Sequence, residues 1–243
     1  MTTYSVTIRL DDASLAALKG HQLQVFKGVK ASAPDKGVST VWATVSELNH
    51  LITLTWQPNY QGFFHAGPLH EEQQATPDLS DVLTLGDTFA LATRQKTVRL
   101  QDGVADAYTL RNQTGRPMWA GVMAEARAYQ TPLGASPFCV FPQRNNERLV
   151  LEPYEKIVLV FSQQPRELGT VVRQCTARSV SLHFFSSVTH ISVDYSHRRG
   201  WDTLGNPVAK RNPMNLLLAS ELIVPSFTRG STPGDLESAL VLH

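Results

Sequence analysis

The chain has 243 residues, a formal net charge of +1, 42% hydrophobic residues and 18% charged ones. Those totals exclude a disordered chain, and they give no charge imbalance that would point to nucleic acid or an acidic membrane as partner. The length suits one large all-β domain or two small ones.

No apolar run reaches the roughly 18–20 residues that a membrane-spanning helix needs. The opening MTTYSVTIRLDD lacks the basic and apolar regions of a signal peptide, so a soluble, cytoplasmic protein without a membrane span is expected. Two cysteines, Cys139 and Cys175, are too few for a disulfide framework or a Cys-based zinc site. They read as buried thiols, with a single bridge left open.

Tyr4 to Leu10 alternates Tyr4, Val6, Ile8 and Leu10 against Ser5, Thr7 and Arg9, the period of a half-buried strand. Asp11 to Gly20 offers a turn or two of helix, with Asp12 as N-cap and Gly20 as stop, or a plain loop. Gln22 to Val29 returns to a strand. Thr40 to Val45 and Leu51 to Trp56 are two more, and Pro58 should end the second or place it at an edge. Gly67 to Asp81 is polar and reads as a long surface loop. Val82 to Ala92 and Thr97 to Leu100 are short strands before a turn at Gln101–Gly103.

The second half opens on a strand at Tyr108, a turn with Gly115 and Pro117, and a strand from Met118 to Ala124. The run Ile157-Val-Leu-Val-Phe161 suits a strand buried on both faces. Strands follow at Gly169–Cys175, Val180–Phe185 and His190–His197, the last with Ile191, Val193 and Tyr195 facing in. Asn215 to Val224 reads as strand or short helix. Tyr4-Ser-Val echoes Tyr108-Thr-Leu, and Val41-Trp-Ala echoes Met118-Trp-Ala, a pattern that would suit two similar halves. The expected architecture is an antiparallel β-sandwich with little helix, divided as residues 1–103, 104–228 and a tail at 229–243, or continuous across the first two.

Trp42, Thr53-Leu-Thr-Trp56, Tyr60, Phe63 and Gly67-Pro-Leu69, with Leu110-Arg-Asn-Gln-Thr-Gly-Arg-Pro-Met-Trp119, resemble the rhizosphere-expressed, RhiA-like family. The likeness covers roughly the first two thirds of the chain. Gly62–Asp81 and the region beyond Arg166 depart from the pattern. The resemblance implies a soluble bacterial protein under population-density control with no assigned chemistry.

Several candidate sites compete. His65, His70, Glu71 and Glu72 combine metal-ligating types, but a spacing of five suits neither a helix face nor a strand face, and a solvated loop is the simpler reading. His183, His190 and His197 recur every seven residues, a register that does not bring all three together. His190 and Asp194 share a strand face and would make an acid–base couple only inside a cleft. Arg198, Arg199, Lys210 and Arg211 near Trp201 read as a solvated turn. Asn112-Gln-Thr114 spells a glycosylation acceptor but marks a turn. No nucleophile elbow or phosphate-binding glycine loop is present in the sequence.

The aromatic set remains. Trp42, Trp56, Tyr60, Phe64 and Trp119, with His65 and Arg116 as polar groups, are the expected ligand-binding residues, against a reading in which the aromatics are plain core. No cofactor or metal is expected. The favoured function is a binding or interaction protein that holds a small apolar molecule, a glycan or a protein partner. The alternative is an isomerase- or cyclase-type enzyme of secondary metabolism with an apolar cavity and Arg or His donors. A homo-oligomer is compatible with either, and a pore-forming sandwich finds no basic amphipathic segment to support it.

Overall fold

A computed structural model describes residues 2–93 and 95–226; the tail expected at 229–243 lies outside the described residues. The chain opens with β1 (Tyr4–Leu10), helix α1 (Asp12–Ala17), β2 (Gln22–Ala31), β3 (Val38–Ser39), β4 (Ala43–Val45) and the long β5 (Leu51–His65). Four short strands follow: β6 (Leu79–Val82), β7 (Thr88–Thr93), β8 (Lys96–Leu100) and β9 (Tyr108–Asn112). β10 (Met118–Ala128), β11 (Thr131–Gln143) and β12 (Arg148–Ser162) are long. Next come β13 (Gln174–Cys175), β14 (Ser179–His183), β15 (His190–Ser196), β16 (Gly200–Asp202) and β17 (Ala209–Asn212). The described chain closes with β18 (Leu216–Leu217), helix α2 (Leu218–Leu222) and β19 (Ile223–Pro225).

The fold is the all-β sandwich expected from the alternating sequence. One sheet runs β16-β15-β1-β5-β10-β11-β3 with β6 on β5. The other runs β17-β14-β12-β9-β7-β8, with β2 on β12, and β4 and β19 on β2. Most pairs are antiparallel, whereas β1–β15, β7–β9 and β2–β19 are parallel. Both sheets draw strands from each side of residue 104, since β1 pairs with β15 and β2 with β12. The two echoed motifs do not land in equivalent places: Tyr4 lies on β1 of the first sheet and Tyr108 on β9 of the second.

Strand parity explains the layers. Leu149, Leu151, Ile157, Leu159 and Phe161 of β12 join Val6, Ile8, Ile52 and Leu54 in the core between the sheets. The intervening Val158 and Val160 face outward with Phe26, where Leu218 and Leu222 of α2 cover them. This double cover is why residues 157–161 are apolar without interruption. A smaller cluster of Phe63, Leu69, Met123, Val140 and Val171 lines the outer face of the first sheet. Gly121 is required there, because a Cβ would sit 2.2 Å from the Cys139 carbonyl oxygen and 2.8 Å from the Phe63 ring.

Three expectations are corrected. The N-cap of α1 is Asp11, whose carboxylate accepts from the Ser14 amide; Asp12 is already helical. β5 does not end at Pro58 and is not an edge strand, lying between β1 and β10. Pairing with β1 stops at Trp56 and pairing with β6 begins at Gln61, while the β10 register shifts between Ala124 and Ala126. Pro58 thus falls where no ladder requires its missing N–H. Thr40 is an isolated bridge to Val171 between β3 and β4, so the strand expected over residues 40–45 is broken in two.

Candidate functional site

The expected ligand-binding residues separate into two places. Trp42, Trp56 and Tyr60 are buried between the sheets, and Phe64 faces the same core against Phe89, ring centroids 5.3 Å apart. His65, Arg116 and Trp119 lie at the other end of β5, on the surface. Trp119 is half-buried, with His65 and Pro142 as its register neighbours on the flanking strands.

The buried group closes around two residues that the aromatic reading missed, Lys27 and Glu155. Lys27 of β2 has no exposed surface. Its ammonium pairs with the Glu155 carboxylate and stands 5.4–5.9 Å from the ring centroids of Trp42, Trp56, Tyr60 and Phe138. Glu155 also accepts from Trp56 Nε1 at 2.7 Å and from the Tyr60 hydroxyl. Trp42 is fixed separately, its Nε1 donating to the Ala124 carbonyl at 2.9 Å. Glu155 reaches this position because β12 bulges between Pro153 and Ile157, opposite Val29 and Lys27. Gly28 makes room for the bulge: a Cβ there would meet the Tyr154 ring and the carbonyls of Leu222 and Lys156 at 3.0–3.2 Å.

Burial pulls the Lys27 pKa down, and Glu155 opposes that pull. Burial alone would raise the Glu155 carboxyl, but Lys27, Tyr60 and Trp56 together hold it below the usual carboxylate value. Burial and the neighbouring carboxylate drive the Tyr60 phenol well above its ordinary value, so it stays a donor. The space beside this box, between Gly28, Tyr108, Phe138 and Tyr154, amounts to about 10 Å³, the room one water takes. The box is therefore an internal ionic clamp between β2–β12 and β5, not a pocket.

A signal for both residues was present in the strand period. Leu23, Val25, Lys27 and Val29 share one parity on β2, which puts a lysine on an inward face. Glu155 likewise shares the parity of Leu151 and Ile157.

The surface group forms a groove of about 680 Å³ where the end of β5, the start of β10 and the end of β11 meet. Pro68, Met118, Trp119 and Pro142 give it an apolar lining, and Lys36, Arg116 and Arg144 bring cations. Lys36 is paired with Glu147 at 3.0 Å, and Glu147 also accepts from the Arg144 amide at 2.8 Å. Arg116 has an exposed side chain on a fixed backbone. Buried Asn112 donates to the Arg116 carbonyl at 2.6 Å and accepts from the Thr114 amide at 3.1 Å, while Gly115 N donates to Asn145 Oδ1 at 2.9 Å. The Arg116 guanidinium makes no hydrogen bond or ion pair among the described residues. These ties also account for Asn112-Gln-Thr114 as turn chemistry.

A second open cleft of about 420 Å³ is lined by Trp56, Thr55, Asn59, Glu125 and Arg127. Its charges are already opposed, with Arg127 3.9 Å from Glu125.

The other candidates are engaged elsewhere. Glu71 and Glu72 pair with Arg173 and Arg166, tying the loop to residues 166–173, while His65 Nδ1 lies 2.8 Å from the Thr76 carbonyl. His190 lies within hydrogen-bond distance of Ser5 and Ser192, and Asp194 pairs with Arg9 at 2.7 Å, so the two do not form a couple. His183 packs on Tyr154 and Phe185. Cys139 and Cys175 are both free and buried; burial pushes the Cys175 thiol up to about 12 and Cys139 higher still. Neither is an activated nucleophile. Among the described residues no helix is long and apolar enough to cross a membrane.

Fold and geometry together define an all-β protein with a sealed aromatic core and an open, cation-rimmed groove. No protein-family model, curated protein or solved structure matches the chain.

Proposed function

We propose that the protein binds a small molecule with an apolar or aromatic body and an anionic group, and that it does so in the groove at Trp119. One observation carries this reading: Arg116 holds a guanidinium without a partner among the described residues at the rim of an apolar groove, on a backbone pinned by Asn112 and Asn145. A fixed backbone lowers the ordering cost of binding, and a guanidinium suits a carboxylate through paired N–H donors. Arg144 adds positive field, while Lys36 and Glu147 offset each other as an ion pair. The aromatic box around Lys27 links the two sheets and shares no residue with this groove. We also propose kinship with RhiA-like proteins, on the resemblance of the segments around Trp56 and Trp119; it implies no chemistry of its own.

The test is a fluorescence and calorimetric titration with four arylacetates: phenylacetate, 4-hydroxyphenylacetate, 1-naphthaleneacetate and indole-3-acetate. Saturable binding of at least one, weakened about 10- to 100-fold by Arg116→Ala, supports the reading, since a charge-assisted hydrogen bond contributes about 1.5–3 kcal/mol. Trp119→Ala should weaken binding to a similar degree. Arg116 is exposed, so Arg116→Ala should leave unfolding unchanged, whereas Trp119 is half-buried against the Phe63 cluster and Trp119→Ala should also lower stability. Absence of saturable binding by all four, or binding unaffected by either substitution, overturns it.

A further inference from the structure

Gln143 is the last residue of β11 and lines the groove beside Pro142 and Arg144. It is only 2% exposed, yet its Oε1 has no hydrogen-bond partner among the described residues. Its own carbonyl is engaged, accepting from Asn112 Nδ2 at 3.3 Å. A buried carbonyl oxygen without a donor is costly, and native structures rarely leave one unmet. The terminal torsion of a glutamine is soft, so the carboxamide can turn its oxygen toward the groove.

We infer that Gln143 is the specificity residue of the groove, and that the ligand class is an aromatic acid carrying an N–H or O–H donor on its ring. This inference rests on the groove being the binding site. The assignment divides the recognition among three groups. Arg116 takes the anionic end, Trp119 and the prolines hold the ring, and Gln143 Oε1 accepts the ring donor. Such an acceptor discriminates by gain: a donor-bearing ligand satisfies Oε1, whereas a ligand of the same shape without the donor leaves it as orphaned as before.

The experiment compares matched probes on the wild-type protein. 4-Hydroxyphenylacetate is set against phenylacetate, and indole-3-acetate against 1-naphthaleneacetate. The donor-bearing member of at least one pair should bind about tenfold tighter, the ratio that one satisfied buried acceptor would give. Gln143→Met keeps the length and removes the acceptor, and should level the pair by weakening the donor-bearing probe alone. Equal affinity within both pairs in the wild type overturns the inference while leaving the groove reading standing. Discrimination that survives Gln143→Met also overturns it, because the donor is then read elsewhere. If none of the four probes binds, the groove reading fails and the inference falls with it. The wild-type comparison needs no variant, so a poorly folding Gln143→Met protein does not protect the claim.

Discussion

Replacing Lys27 with Met should destabilise the protein far more than the loss of one hydrogen bond. The substitution keeps the side-chain length and leaves Glu155 buried with only Trp56 and Tyr60 as donors. Removing one partner of a buried ion pair costs about 3–5 kcal/mol, because the remaining charge is uncompensated. Glu155→Gln strands the Lys27 ammonium among four rings and should cost a similar amount. The double variant removes both charges while the amide still offers an acceptor to Trp56 and Tyr60. It should therefore cost at least about 2 kcal/mol less than the sum of the singles. With a urea slope of roughly 3 kcal/mol/M for a chain of this size, each single variant lowers the midpoint by about 1–1.7 M. Equilibrium urea unfolding, followed by tryptophan fluorescence and far-UV circular dichroism, measures this directly. Additive effects within 0.5 kcal/mol, or a Lys27→Met cost below about 1 kcal/mol, would refute the clamp as a coupled unit.

Other outcomes follow from the same geometry. The folded Glu155 value lies below the unfolded one, so its contribution is fully present above the unfolded carboxylate pKa and is lost as pH falls through the folded value. Acid titration of Glu155→Gln should accordingly show a shallower loss of stability than wild type, and identical slopes would contradict this. The Tyr60 phenol is raised, so its contribution is present below pH 10 and is lost as pH rises above that value. Tyr60→Phe should remove that alkaline component, read as the pH dependence of the urea midpoint between 9 and 11. Gly121→Ala should cost about 1–3 kcal/mol or prevent folding, since the methyl meets a backbone carbonyl that cannot step aside; a wild-type melting temperature would rule this packing out.

The sequence was legible where one physical rule acts alone. Tyr4–Leu10, Leu51–Trp56 and His190–Ser196 alternate with period two, and each forms the strand that the alternation implies. The unbroken Ile157–Phe161 run correctly signalled cover on both faces, but nothing in it named α2 as the cover. Pro58 misled because the rule about its missing N–H is local, whereas the gap that accommodates it is set by where β1 stops and β6 begins. The aromatics were legible as a group, and what they surround was not. Lys27 looks solvated by residue type; strand parity turns it inward, but the partner that makes its burial tolerable lies 128 residues later. The rim of the groove was partly visible, since Arg116 and Trp119 lie three residues apart. Lys36, Gln143 and Arg144 reach it only through strand pairing that no short window contains.

That 128-residue separation also bears on how the chain acquires its structure. During synthesis, β2 and β5 emerge with a lysine aimed at an interior that has no counter-charge until residue 155 has been made. The strand that completes the pairing of β1 comes later still, at His190–Tyr195. Early strands can pair among themselves, as β1 does with β5 and β2 with β4, but closure of the whole core waits for the later strands, with the slow kinetics that distant pairings impose. A partly made chain that sealed its core around Lys27 before residue 155 was in place would bury an unpaired charge.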